Sequence, residues 1–160
     1  MKIHRKEIVV TEYDFAELSE SRQTLVQKLK GALPNAYAPY SNFHVSAALL
    51  LQNGEIITGS NQENAAYPSG LCAERVALFY KGHQYPNQPI VALAVTVQKN
   101  IPDFPYPCGA CLQVISEFTN RQTQPFEIIL YHTHLNKALI ASGVKQLMPF
   151  AFIKEHLGNL

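Results

Sequence analysis

The spacing of apolar residues predicts a long helix near the start of the chain. Between Ser19 and Leu33, apolar residues recur at the spacing of one helix face. The sequence Gly31-Ala32-Leu33-Pro34 is typical of a helix end, because glycine and proline both interrupt helical geometry. Residues 1–14 lack this pattern, and we interpret them as an extended N-terminal arm.

The next segment predicts a β-hairpin. His44–Leu51 and Glu55–Asn61 are strand-like stretches that flank the dipeptide Asn53-Gly54. Asn-Gly favours the tight turns that join antiparallel strands, since both residues tolerate positive φ angles. A loop that contains Pro68-Ser69-Gly70 follows the hairpin.

The rest of the chain alternates helical and strand-like stretches. The predicted elements are a helix over about Cys72–Lys81, a buried strand over Ile90–Val97, a proline-rich loop over Ile101–Pro107, a helix over about Cys108–Asn120, and strands over Phe126–Tyr131 and Lys137–Ala141. This order predicts an α/β fold with three α/β/α layers, in which helices cover both faces of a mixed five-stranded sheet. Because no repeat or linker interrupts the pattern, we expect a single domain over residues 1–160.

Composition and charge exclude several classes of protein. The 160 residues carry a net charge of only +1, and the chain has no tryptophan, which disfavours a nucleic-acid partner. No apolar run approaches the length of a membrane span, and Met1–Thr11 does not resemble a signal peptide. We therefore expect a cytoplasmic protein, whose cysteines bind metal rather than form disulfides.

The three cysteines of the chain form a pattern that predicts a metal site. They occur in Cys72-Ala73-Glu74 and in Pro107-Cys108-Gly109-Ala110-Cys111. Three thiolates leave the fourth position of a tetrahedral zinc ion open, and catalytic zinc needs that open position. Glu74 lies close enough to the first cysteine to handle the protons of a water at the zinc. The pattern therefore indicates a catalytic zinc centre.

Both cysteine groups lie where a loop becomes a predicted helix. The first turn of a helix presents unpaired N–H groups and a partial positive charge, which stabilise a thiolate. We therefore predict that the zinc lies between two helix N-termini. Three thiolates leave this centre negative, and Arg75 is the candidate for the compensating positive charge.

Two other interpretations of the Cys-x-x-C motif are less consistent with the chain. A structural zinc site needs a fourth protein ligand, and no histidine lies at a zinc-ligand spacing from the cysteines. The histidines are His4, His44, His83, His132, His134 and His156. A redox pair would leave Cys72 and Glu74 without a role.

Several segments resemble the small cytidine deaminases whose zinc is held by cysteines alone. They are Tyr37-Ala38-Pro39-Tyr40-Ser41-Asn42-Phe43, Asn61-Gln62-Glu63-Asn64-Ala65-Ala66-Tyr67, Cys72-Ala73-Glu74-Arg75, Pro107-Cys108-Gly109-Ala110-Cys111 and Leu147-Met148-Pro149-Phe150-Ala151-Phe152. The resemblance runs from about Ala36 to the end of the chain, so the N-terminal arm lies outside it. It implies zinc-dependent deamination of cytidine and 2′-deoxycytidine in pyrimidine salvage, by a homotetramer with one Zn²⁺ per subunit.

The resemblance also implies roles for particular residues. The implied substrate-binding residues are Phe43, Asn61, Glu63, Ala73, Tyr67 and Phe152. Phe43 would stack on the pyrimidine ring, and Asn61 and Glu63 would bind the ribose. Tyr67 and Phe152 resemble residues that complete the site of a neighbouring subunit.

The chain departs from the family pattern at two positions near these motifs. Leu112 stands where the family commonly has arginine, so Arg75 is expected to carry more of the charge compensation. Ser46 stands where the family usually has glycine. Neither departure removes a zinc ligand or Glu74.

Three alternative functions remain open from the sequence. A deaminase of a modified nucleoside such as blasticidin S would share the zinc motif, as would a deaminase that acts on polynucleotides. The polynucleotide enzyme is disfavoured because it would need a basic channel lined by aromatic residues. A non-catalytic zinc-stabilised module would need a fourth protein ligand.

Overall fold

A mixed six-stranded sheet forms the centre of the computed structural model, which describes residues 1–158. The strands are β1 (Val10–Asp14), β2 (Val45–Leu51), β3 (Ile56–Ser60), β4 (Ile90–Val97), β5 (Glu127–His132) and β6 (Lys137–Ala141). Their order across the sheet is β1-β6-β5-β4-β2-β3. The sheet is mixed because β4 and β5 run parallel, whereas the other neighbouring pairs are antiparallel.

Helices cover both faces of this sheet, which confirms the predicted three layers. The helices are α1 (Glu20–Gly31), α2 (Ala73–Gln84) and α3 (Gly109–Asn120). On one face, α1 buries Leu25 and Leu29 against the sheet, because their spacing places both on the same helix side. On the other face, α2 and α3 bury apolar residues that include Leu78 and Ile115. Within residues 1–158, no helix has the length and apolar character needed to cross a membrane.

The predicted hairpin is present as β2 and β3. Gly54 adopts a φ of 86°, a left-handed conformation that glycine tolerates without steric cost. The Asn53 side chain accepts a hydrogen bond from the Glu55 N–H, which stabilises the turn. The remaining predicted helices and strands agree with the structure to within a few residues at their ends.

The sixth strand corrects the predicted number of five. Part of the N-terminal arm forms β1, which pairs antiparallel with β6 at one edge of the sheet. An ion pair between Glu12 and Lys137 (2.6 Å) links the two strands. Four of the five β1 residues are exposed, so this strand lacks the apolar alternation that would have revealed it.

A close contact between β3 and α2 fixes the start of α2 against the sheet. A Cβ atom added to Gly59 would lie 2.6 Å from the Ala77 nitrogen and 2.8 Å from the Ala73 oxygen. Only glycine permits this approach. The contact matters because α2 begins directly after Cys72.

Candidate zinc centre and substrate cavity

The three cysteines meet at the N-termini of α2 and α3, as predicted. Cys72 and Cys108 immediately precede the two helices, and Cys111 is buried in the first turn of α3. We call these residues the thiol cluster. The Cys108 sulfur lies 3.9 Å from the Cys72 sulfur and 3.4 Å from the Cys111 sulfur.

These distances fit a tetrahedral zinc ion. Zinc–sulfur bonds of ~2.3 Å at tetrahedral angles place neighbouring sulfurs ~3.8 Å apart. All three sulfurs lie within 4.8 Å of one another, and in the part of the chain that the structure describes no histidine or carboxylate joins this group. The donor set therefore suits zinc with one coordination position left for a non-protein ligand.

The surroundings of the thiol cluster favour ionisation of one of its cysteines without a metal. A hydrogen bond with Cys111, supported by Arg75, lowers the pKa of Cys72 to about 5. The same hydrogen bond raises the pKa of Cys111. The cluster therefore offers an ionised sulfur, which is the form that binds zinc.

Glu74 is a buried carboxyl group beside this cluster. It lies in the first turn of α2, and only 4% of its surface is exposed. Burial raises the pKa of the Glu74 carboxyl, and the Cys72 sulfur adds to this effect. A carboxyl in such surroundings can both accept and return a proton.

Arg75 supplies positive charge next to the cluster. Its Nη2 atom lies 3.9 Å from the Cys72 sulfur and donates to the Gly70 carbonyl at 3.4 Å. Leu112, at the position where arginine was expected, instead packs against the apolar core. The Arg75 guanidinium therefore lies close enough to the Cys72 sulfur to offset part of its negative charge.

The thiol cluster opens into a cavity of about 920 Å³. The predicted binding residues that line it are Phe43, Asn61, Glu63 and Tyr67, together with Cys72, Cys108, Glu74 and Arg75. Ala73 is fully buried and does not line the cavity. Phe152 is 57% exposed and lies in a separate groove beside His156.

Asn61 fixes the backbone around Phe43. Its side-chain oxygen accepts a hydrogen bond from the Val45 N–H (2.8 Å), and its side-chain nitrogen donates to the Phe43 carbonyl (2.9 Å). An amide group has one further donor and acceptor site after these bonds. Asn61 therefore orients Phe43 and retains capacity for a ligand.

The Glu63 carboxylate is held by the preceding loop. It accepts hydrogen bonds from the Ser41 hydroxyl and from the Tyr40 and Ser41 N–H groups. These bonds, led by that of the Ser41 hydroxyl, lower the pKa of Glu63. An ionised carboxylate with fixed geometry is a suitable acceptor for ligand hydroxyl groups.

Sequence reasoning missed one wall of the cavity. Ile101, Phe104 and Tyr106 line it from the loop that precedes Cys108. The available signal was the position of this aromatic, proline-rich loop directly before a predicted zinc ligand. A chain segment that ends at the metal must pass beside the site.

The fold and the site together define a class of protein: a zinc-binding α/β domain that presents a buried glutamate and an open metal position to a small-molecule cavity. The family model described as the cytidine and deoxycytidylate deaminase zinc-binding region matches residues 19–125. The chain belongs to this family, and zinc is the metal of its cysteine site.

Relatives and solved structures agree with this assignment. The chain is 39% identical to a cytidine deaminase of Halalkalibacterium halodurans over 86% of this chain and 98% of that protein. It is 42% identical to a cytidine deaminase of Sporosarcina psychrophila over 84% and 93% of the two chains. The crystal structure of cytidine deaminase from Burkholderia pseudomallei superposes with a TM-score of 0.71 at 35% identity, covering 84% of this chain and 100% of that one.

Proposed function

We propose that the protein is a zinc-dependent cytidine deaminase, which hydrolyses cytidine and 2′-deoxycytidine to uridine and 2′-deoxyuridine with release of ammonia. The observation that carries this proposal is the buried Glu74 beside a three-thiol centre that faces the cavity. The chain's similarity to cytidine deaminases over most of its length supports the same reaction.

Cys72, Cys108 and Cys111 would hold the zinc, which supplies Lewis-acid chemistry that makes water a nucleophile at neutral pH. Glu74 accepts one proton from the attacking water and gives it to N3 of the cytosine ring, while the water oxygen bonds to C4. Glu74 then transfers the second proton of that water to the amino group. The bond between C4 and this nitrogen breaks, and ammonia leaves.

Phe43, Asn61 and Glu63 position the nucleoside in this proposal. Phe43 stacks on the pyrimidine ring from the cavity wall, and Asn61 holds the Phe43 backbone in place. Glu63 accepts a hydrogen bond from a ribose hydroxyl. The loop contacts that order Glu63 support this assignment, because they fix the carboxylate before a ligand binds.

The proposed reaction is tested by measuring absorbance as cytidine, 2′-deoxycytidine and cytosine are offered as substrates. Both nucleosides should be deaminated, and a chelator that removes zinc should stop turnover. Zinc added back to the stripped protein should restore it. If the protein deaminates neither nucleoside but does deaminate a modified nucleoside, this proposal is wrong and the modified nucleoside is the substrate class.

Substitution of Glu63 by alanine is expected to lower kcat/KM for cytidine far more than for free cytosine. A site that hydrogen-bonds a substrate hydroxyl discriminates by roughly 10⁴-fold or more when that bond is fully used. Glu55→Ala is the matched control, because Glu55 lies in the exposed hairpin turn, accepts a hydrogen bond from the Tyr85 hydroxyl at the end of α2 and does not line the cavity. Equal losses on cytidine and cytosine would remove Glu63 from ribose recognition.

Substitution of Arg75 by glutamine should lower kcat/KM by roughly 10–100-fold, as is usual when a group that supports metal ligands is removed. Arg75→Lys should retain more activity because it keeps the positive charge. Arg121→Gln is the control, since Arg121 pairs with Glu117 on the exposed side of α3. If Arg75→Gln matches the wild type, the thiolate charge is compensated elsewhere.

We also propose a homotetramer in which Tyr67 and Phe152 complete the sites of neighbouring subunits. Their exposed side chains, at 73% and 57%, support this arrangement because large apolar groups at a surface are typical of interfaces. Light scattering should then give a particle of four chains.

We also propose that the protein is located in the cytoplasm and acts in pyrimidine salvage. A reducing compartment supports this location because it keeps the three metal-binding thiols free.

A further inference from the structure

Three consecutive side chains at the end of β5 contact carbonyl groups at the end of β4 and in the loop that forms the unpredicted wall of the cavity. The His132 Nε2 atom lies 2.8 Å from the Ile101 carbonyl oxygen, and the His134 Nε2 atom lies 3.1 Å from the Gln98 carbonyl oxygen. The Thr133 hydroxyl donates to the Val97 carbonyl at 3.3 Å. We call His132, Thr133 and His134 the carbonyl clamp, and residues 98–107 the wall loop.

The contacts of His132 define its protonation. The Leu135 N–H donates to Nδ1 of His132 at 3.1 Å, so Nδ1 carries no proton. Nε2 therefore carries the proton of the neutral ring and donates it to the Ile101 carbonyl. The ring is only 3% exposed and packs edge-on against Phe104, at 6.1 Å between ring centroids. Hydrogen bonds at both ring nitrogens and the contact with Phe104 therefore hold the His132 ring in this position.

The wall loop reaches the substrate side of the cavity at several points. Ile101, Phe104 and Tyr106 line the cavity. The Lys99 ammonium lies 5.9 Å from the centre of the Phe43 ring, within the range of a cation–π contact. Residues 98–107 form no helix or strand; the Gln98 N–H donates to the His44 carbonyl at 3.0 Å, and side-chain contacts add to this backbone bond in fixing the loop.

We propose that His132 is a positioning residue, which fixes the wall loop through the Ile101 carbonyl and thereby sets the affinity for the substrate. This inference rests on the proposed deaminase function. Glu74 and Arg75 lie in the first turn of α2, and Cys108 directly precedes α3; both helices pack on the sheet through their own apolar residues. Loosening the wall loop should therefore weaken substrate binding more than it slows the chemical step.

Two amide substitutions test the two ring nitrogens of His132 separately. In His132→Asn, the side-chain oxygen can still accept from Leu135, but nothing reaches the Ile101 carbonyl. In His132→Gln, the side-chain nitrogen can occupy the Nε2 position and restore that bond. We expect His132→Asn to raise the KM for cytidine by roughly 3–10-fold, the value of one lost hydrogen bond, with kcat close to that of the wild type. His132→Gln should recover most of the lost affinity.

Hydrogen exchange followed by mass spectrometry provides a readout that does not depend on catalysis. Peptides that cover residues 98–107 should exchange faster in His132→Asn than in the wild type and in His132→Gln. His83→Asn is the matched control, because His83 is exposed near the end of α2 and does not line the cavity. It should change neither KM nor exchange.

The results distinguish failure of this inference from failure of the proposed function. Wild-type protein that does not deaminate cytidine would refute the function, and the exchange rates would still decide whether His132 fixes the wall loop. Wild-type KM and exchange in His132→Asn would overturn the inference. A joint fall in kcat and stability that His132→Gln does not relieve would also overturn it, because His132 would then be merely structural.

Discussion

Substitution of Glu74 by glutamine should reduce the kcat for cytidine by roughly 10²–10⁴-fold, the usual contribution of a general acid–base group. Glutamine has nearly the size of glutamate and fits the same buried position. It cannot take a proton from water or return one to N3 and the leaving amine. The thiol cluster is unaltered by this change, so the zinc content should stay at one ion per chain.

Two measurements on the same preparations check this expectation. Absorbance gives kcat, and elemental analysis gives the zinc content. Glu117→Gln is the control, because it makes the same chemical change on the exposed side of α3 and should leave both values unaltered. Near-normal turnover in Glu74→Gln would show that another group moves the protons.

The zinc centre could be predicted because its determinants are local. Cys72 and Cys108 each immediately precede a helix, and helix starts can be recognised from the sequence around them. Three cysteines with no fourth ligand at a suitable spacing already indicate an open metal position. The structure adds the sulfur–sulfur distances and the burial of Glu74.

The substrate cavity depends on contacts between distant segments and was only partly predictable. Phe43, Asn61 and Glu63 were assigned through family resemblance, because no local pattern in the sequence marks them as binding residues. The structure shows why they form one unit. Asn61 bonds to the backbone of Phe43, and Glu63 bonds to the loop just before it.

The wall loop and its clamp follow from sheet topology. Because β4 and β5 are parallel neighbours, their C-terminal ends lie side by side. The loop after β4 and the turn after β5 therefore leave the sheet at the same end of the strands. His132 thereby meets Ile101, which lies 31 positions away in the sequence. The alternation of strands and helices indicates the parallel pairing. It does not indicate the register of the two strands, which brings these two residues together.

Edge strand β1 was missed for a different physical reason. An edge strand can expose both its faces and one row of backbone groups, so it needs no alternation of apolar residues. It pairs with β6, and Glu12 forms an ion pair with Lys137 across the two strands. Neither contact leaves a local pattern within residues 1–14.

Substitution of Cys111 by serine should abolish zinc binding and deamination together. Cys111 is the fully buried member of the thiol cluster, and serine nearly preserves its volume while removing the sulfur ligand. Elemental analysis should find little zinc in the purified variant. Its Tm should also fall, because a metal that binds only the folded chain stabilises that chain.

Ser116→Ala is the matched control for Cys111→Ser, since Ser116 is a small buried polar residue on the same helix. It should keep wild-type zinc content and activity. Excess zinc should not rescue Cys111→Ser, whereas it should reload wild-type protein that a chelator has stripped. Full zinc and activity in Cys111→Ser would mean that another ligand completes the site. Glu74→Gln should keep zinc and lose turnover, whereas Cys111→Ser should lose both. The two variants therefore distinguish zinc binding from proton transfer.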